Sequence, residues 1–422
     1  MSRGPRRSWS AVTASLLTAM ALAGCSSDEG DRTVEAGGGG PQVSTADGKP
    51  IVIGLPESDA GNGFNQHHYG DAMTAWASDL NAAGGIGGRP VELVRCNDQG
   101  TPDGATACMR EQVQNEDIVL GTGFSPHAPL ITGPGFLAAG IPWLAAAGNS
   151  GGDLDGTGST MCVVPTAIAT YQALPTYAIE ELDVERVSIM RVDTPRLALM
   201  EQEAIQSTEA AGGTVVTKAA IPLSTADFSP QVQQAIEADA DLIVVATTIP
   251  TAQKIMETAA SLGYQGVIGL SGGHYDATTQ EIVRRLEGSG ITFIHDAAFP
   301  DYRSDDEDVT EYRESLERHG YEDNLGNDQG AGGWASGKYL QKIFEYLGPD
   351  NITRESVMEA LTTQTFDEVS LFEGPVGAAN GTEAFPALGY IRTHIVTLDA
   401  DGQKWADEPI DLRDLTEALR WP

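Results

Sequence analysis

Between residues 51 and 295, short apolar runs alternate with amphipathic stretches, and this rhythm constrains the fold most. Strands are expected at 51–55, 90–95, 118–121 and 141–146, with helices at 69–81, 105–115 and 128–139 between them. Parallel strands need a crossover, so strand–helix–strand order implies a parallel sheet with helices on both faces. After a break the rhythm restarts. Helices at 169–181, 197–211, 229–238, 251–262 and 278–286 separate strands at 186–191, 214–220, 241–246, 266–270 and 291–295. The chain therefore reads as two doubly wound α/β lobes in tandem. Helices at 308–319 and 332–347 have no strands between them and are expected to cover the first lobe. The stretch 374–398 reads as strand, with Asn380-Gly381 as a hairpin turn.

The N-terminal segment reads as an address. Arg3, Arg6 and Arg7 precede an apolar run at 11–23, which is too short to span a bilayer as a helix. Leu22-Ala23-Gly24-Cys25, followed by Ser26-Ser27-Asp28, resembles a bacterial lipobox. The resemblance implies cleavage after residue 24 and a lipid on Cys25, with two or more acyl chains giving stable anchoring. An ordinary secretory signal with an incidental Cys is the simpler alternative. Residues 25–50, with Gly37 to Gly40 among Asp, Glu, Ser and Thr, then form a tether that cannot bury a core. Export permits disulfides. Cys96 at a strand end and Cys108 in the following helix are expected to pair, which leaves Cys162 as a buried free thiol. The formal net charge is -35, so the chain will not seek phosphate backbones, and nucleic-acid binding is excluded as its task.

Local phrases in the body align with one family. Asn81-Ala82-Ala83-Gly84-Gly85-Ile86-Gly87-Gly88-Arg89-Pro90-Val91-Glu92-Leu93-Val94 resembles a helix–strand junction of the type I periplasmic binding proteins. Asp98, Pro102, Gly121 to Ser125, Gly140-Ile141-Pro142 and Gly374-Pro375-Val376 fit in order and spacing. The branch it is most similar to is the leucine/isoleucine/valine-binding receptors of ABC importers. This resemblance implies two α/β lobes joined by a three-strand hinge and closing on a small polar ligand. Lobe one would comprise residues 51–168 plus 298–372, and lobe two residues 169–297 plus 373–422. The hinge would lie near 165–170, 296–300 and 370–376. An ABC permease is the implied partner, and a monomer with no cofactor is expected.

The resemblance also implies site residues. Ser125 matches the Ser whose hydroxyl meets a ligand carboxylate, although a loop or capping Ser fits the same position. Ala147, Gly148 and Asn149 match the next strand-end loop. Phe64 stands near the family's lid aromatic, and Trp334 at the aromatic over the cleft, where a core Trp fits equally. Lobe two departs from the pattern. After the strand at 266–270 the chain reads Ser271-Gly272-Gly273-His274-Tyr275, with no acid to pair an amino-acid ammonium. Asp276 there reads as an N-cap. Gly272, Thr248 and Arg196 stand at the remaining lobe-two strand ends, and an inward Arg196 would favour a second negative or polar ligand end.

Other chemistry is poorly supported. Gly269-Leu270-Ser271-Gly272-Gly273 matches the G-x-S-x-G elbow of serine hydrolases, but a helix does not follow the Ser at once, as the elbow requires. Gly84 to Gly88 follow a helix, so they stop it and do not cradle phosphate. His67-His68 lacks a zinc-type i+4 partner. Asp305 to Asp308 lack the Gly and twelfth-position Glu of a calcium loop. A sensor that binds ligand without transport shares every feature of the receptor reading.

Overall fold

The computed structural model describes residues 46–412 apart from 61–63, 149–150, 165, 194, 223, 384 and 407. The expected signal segment, Cys25, the tether up to residue 45 and Asn149 lie outside the described residues, as do the side chains of Phe64 and Arg196. The first sheet comprises β1 (Ile51–Glu57), β2 (Val91–Asn97), β3 (Ile118–Gly123), β4 (Trp143–Ala145) and β5 (Met161–Cys162). All pairs are parallel, in the order β2-β1-β3-β4-β5. The second comprises β6 (Arg186–Val192), β7 (Thr214–Ile221), β8 (Leu242–Ala246), β9 (Val267–Leu270) and β10 (Thr292–Ala297). Its parallel order, β7-β6-β8-β9-β10, repeats the first. Every residue of β1 and β8 is buried, as strands covered on both faces require.

Helices α1 (His68–Ala82), α2 (Pro102–Val113) and α3 (Gly133–Ala138) belong to the first lobe. The second lobe holds α4 (Leu174–Glu181), α5 (Pro195–Ala210), α6 (Ser229–Glu237), α7 (Ile249–Ser261) and α8 (Ala277–Arg285). The chain then returns, and α9 (Glu307–His319), α10 (Asp328–Leu347) and α11 (Arg354–Thr363) pack on the first sheet. Ile51, Ile53, Leu55, Tyr69 and Trp76 share one core with Tyr312, Trp334, Tyr339 and Phe344. The chain thus passes between the sheets after β5, after β10, and again ahead of β11 (Arg392–Asp399).

Two glycines set the approach of α10 to α1. A Cβ on Gly333 would lie 2.2 Å from the Tyr69 carbonyl oxygen, and one on Gly337 would lie 2.4 Å from the Trp76 ring. Only hydrogen fits at either place.

The expected helix 128–139 is not a regular one. Residues 128–132 form a π-helical turn that continues into α3, and 169–173 form a second one that leads into α4. Each is closely followed by a proline, Pro134 or Pro175, which has no N–H for the carbonyl four residues back. The Tyr171 carbonyl accepts from the Ser207 hydroxyl at 3.0 Å.

The C-terminal hairpin also lies elsewhere than expected. Asn380-Gly381 closes no hairpin. Asn380 is buried, and its Nδ2 donates to the carbonyls of Pro375 (2.7 Å) and Gly389 (2.9 Å). Its amide stitches a loop together and leaves only Val376–Gly377 and Arg392–Asp399 as strand in that stretch. The hairpin joins β11 to β12 (Gly402–Trp405), and β11 runs antiparallel to β10.

Cys96 on β2 and Cys108 on α2 form a disulfide, and Cys162 is a free, buried thiol. Burial pushes the Cys162 thiol up, and its S–H donates to the Val164 carbonyl. It is therefore a core group and not a nucleophile. Thiol titration of the denatured, unreduced body is expected to count one thiol, and a count of zero or three contradicts the pairing. Replacing both bridged cysteines by Ser is expected to cost about 2–3 kcal/mol in denaturant unfolding, as the small loop implies. Gly333→Ala is expected to cost about 1–3 kcal/mol by overpacking α1 against α10.

Candidate ligand-binding site

In open parallel sheets, ligands sit beyond the carboxyl ends of the strands, where the strand order reverses. Both lobes supply such an edge to one cavity of about 560 Å³, within the size range of small-molecule sites. From the first sheet come Phe124 and Ser125 after β3, Ala146 and Ala147 after β4, and Val164 and Thr166 after β5. From the second come Val192 at the end of β6, Thr247 and Thr248 after β8, and Ser271 and Gly273 after β9. Tyr69 opens α1, and Asp328, Gln329 and Gly332 open α10. The π-helical turns supply Leu130, which is 75% exposed, and Tyr171. Most of this wall is apolar, with hydroxyls and amides set into it.

Behind the first-lobe wall lies a buried carboxylate. Asp98 is fully buried and accepts from the Ser58 hydroxyl, the Gly100 N–H (2.8 Å) and the Ser125 hydroxyl. The Ser125 Oγ in turn accepts from the His127 N–H at 3.1 Å. The Ser125 proton therefore points back into the protein, toward an acid.

The second-lobe loop is held by His274. Its Nδ1 accepts from the Ser271 N–H (3.1 Å), so its Nε2 carries the proton and donates to the Thr247 carbonyl (2.8 Å). Burial pushes this imidazole toward the neutral form. Both ring nitrogens are occupied, so His274 cannot act as a base for Ser271. A 3₁₀ turn at Gly272–His274 follows that Ser, and α8 begins only after Asp276, whose carboxylate accepts from the Thr279 N–H at 2.6 Å. The hydrolase elbow is not formed. Asp276 is the N-cap its position suggested.

Two more carboxyls meet where the lobes join. Asp296 accepts from the Thr170 hydroxyl (2.8 Å) and the Gly272 N–H (3.2 Å). Asp328 accepts from the Ala298 N–H at 3.2 Å. Burial pushes Asp296 up to about 6; burial, then the Asp296 charge, push Asp328 up to about 8. Asp328 keeps part of its surface open to the cavity.

The expected site residues distribute unevenly. Ser125, Ala147 and Thr248 line the cavity. Gly148 is packed beside Cys162 and Leu154, and Gly272 sits beneath the wall against Asp296. Trp334 is 1% exposed and belongs to the first-lobe core, where its ring packs on Tyr312. The cavity-facing glycine of its helix is Gly332, two positions earlier. Tyr69, Phe124, Leu130, Tyr171, Asp328 and Gln329 line the cavity without a site motif in the sequence to mark them. Only Phe124, next to Ser125 after a strand, carried a local signal. Among the described residues no cluster of His, Cys, Asp or Glu could hold a metal, and no helix is long and apolar enough to cross a membrane.

The raised carboxyls make stability fall with pH. Each binds its proton more tightly folded than unfolded, so its contribution is full below about 4, the unfolded value. It is lost as pH rises through about 6 for Asp296 and about 8 for Asp328. Asp328→Asn removes the second loss, so its unfolding midpoint should drop less than wild type's between pH 5 and pH 9. An equal drop contradicts the assignment.

Known structures share this architecture. An ABC transporter substrate-binding protein from Sphaerobacter thermophilus superposes with a TM-score of 0.69 at 20% identity, covering 86% of this chain and 98% of that one. A leucine-binding protein from Thermotoga maritima gives 0.69 at 17%, covering 86% and 100%. A solute-binding protein of an ABC transporter from Rhodopseudomonas palustris, in complex with 4-hydroxybenzoate, gives 0.69 at 17%, covering 86% and 97%. No curated protein matches the chain. A family model described as periplasmic binding protein matches residues 50–387. The chain belongs to that family of extracytoplasmic solute-binding receptors, which are not enzymes.

Proposed function

We propose that this chain is a lipid-anchored substrate-binding protein of an ABC importer, working on the outer face of the cell membrane. It captures a small polar ligand, for which the sequence suggests an amino-acid-like molecule, an amide or an organic acid, and hands it to a permease. One observation carries this reading: the cavity lies at the carboxyl ends of both sheets, between lobes joined by three chain passages. We take the lobes as 51–168 plus 298–391 and 169–297 plus 392–412, closing about the passages; the expected boundary at 372 moves because Leu388 bridges Cys162 of the first sheet and Phe385 packs with Trp143. Ser125, Ala147 and Thr248 are the contacts expected from the sequence that line the cavity. Leu130 on one wall and Ile249 on the other would be covered by closure. Relatives described with leucine and with 4-hydroxybenzoate bind molecules with an apolar body and polar ends. The wall of this cavity has the same mixture. The motif at Leu22 to Cys25 supports the anchor.

Thermal unfolding of the body from Ser26 onward, against amino acids, amides, amines and organic acids, tests the reading. A ligand at 100 times its Kd should stabilise by about 2.7 kcal/mol, a shift of a few degrees. Leu130→Asp should weaken that ligand about tenfold or more by placing a charge against its apolar body. A shift unchanged by the substitution places the ligand elsewhere. Labelled fatty acid should enter the full chain in its host and fail to enter Cys25→Ser; a labelled Cys25→Ser chain contradicts the anchor.

A further inference from the structure

Two under-satisfied acceptors, Gln329 and Asp328, sit side by side in the cavity wall among hydroxyls, amides and imidazoles. Among the described residues no Lys or Arg lines it. Gln329 is 9% exposed, lines the cavity, and its Oε1 has no hydrogen-bond partner. Beside it in sequence, Asp328 accepts from one backbone N–H only. The loop of the opposite lobe closes on the pair. A Cβ on Gly272 would lie 3.3 Å from Asp328 Oδ2, and one on Gly273 3.7 Å from Gln329 Nε2. A buried carbonyl oxygen and a carboxylate left this way cost free energy unless a donor reaches them.

The other end of the cavity is unfavourable to an anion. A ligand carboxylate at Ser125 would meet a hydroxyl whose proton is already given to Asp98, with that acid directly behind it. The positive end of α10 offers little to an anion either, since Asp328 occupies its first turn. Phe124 and Tyr171 add aromatic rings to the lining, and ring faces attract cations and repel carboxylates. The net charge of -35 steers cations toward the chain.

Resting on the receptor reading above, we propose that the ligand is an organic ammonium without a carboxylate, its cationic head on Asp328 and Gln329 and its apolar body along Phe124, Tyr171 and Leu130. Asp328 faces Asp296 together with His295, Tyr302, Tyr312 and Tyr390, and none of these supplies a positive charge near neutral pH, since burial holds His295 neutral. Without a cation beside it, Asp328 therefore favours its protonated form. An ammonium displaces that proton, so its affinity should rise as pH rises toward 8 and level off above it.

Three probes share one body: 2-phenylethylamine has the ammonium alone, phenylalanine has both ends, and 3-phenylpropanoate has the carboxylate alone. Calorimetric titration of the body from Ser26 onward should find the amine at least tenfold tighter than the carboxylate. Asp328→Asn should weaken the amine at least tenfold and flatten its pH dependence, and Gln329→Leu should weaken it about threefold or more. Tighter binding of the carboxylate, or an amine affinity indifferent to both substitutions, overturns the proposal and leaves the receptor reading standing. No binding of any of the three also overturns it. The receptor reading falls with it only if the wider panel of amino acids, amides and organic acids is silent too.

Discussion

Parallel pairing forces every connection to run back over a face of the sheet, and that leaves all strand carboxyl ends on one side. In this chain two sheets with the same winding order turn those sides toward one cavity. The strand-end loops after β3, β4, β6, β8 and β9 then become a wall simply because the strands end there. The packing of α10 on α1 completes it. Gly333 lets α10 close onto the backbone of α1 and Gly337 admits the Trp76 ring, so the first turn of each helix opens at the cavity. A bulkier residue at Gly333 would displace Tyr69 and Asp328 together.

The electrostatics of the cavity follow from burial. Asp98, Asp296 and Asp328 are carboxyls in places where water cannot fully solvate them. Each is satisfied by a different means. Asp98 collects two hydroxyls and an N–H, Asp296 a hydroxyl and an N–H, and Asp328 a single N–H. The least satisfied of the three lies open to the cavity. The histidines nearby do not offset the charge. Burial holds both His274 and His295 toward the neutral form, and their ring nitrogens are taken up within the protein.

Some features could not be read locally. The π-helical turns at 128–132 and 169–173 lie just ahead of Pro134 and Pro175, which cannot donate to a carbonyl, and the Ser207 hydroxyl of another helix reaches the second turn. Asn380-Gly381 has the composition of a hairpin turn, but its amide found two carbonyls that the fold brought near. Trp334 sits in α10 at a position where cleft and core are separated by a small rotation of the helix. Its packing on Tyr312 decided for the core.

The sequence by itself determined the strand–helix rhythm, the two lobes, the covering role of the late helices and the Cys96–Cys108 pairing. These depend on hydrophobic period, chain order and short separations, all of which are written along the chain. Only the tertiary structure decided which polar groups face the ligand. Asp328 lies 30 residues after Ala298 and 230 after Asp98 in sequence, and nothing local marks it as part of their site. Its role comes from the passage of the chain back to the first lobe and the close seat of α10 on α1. That contact is fixed by packing across the whole body, which no local pattern encodes.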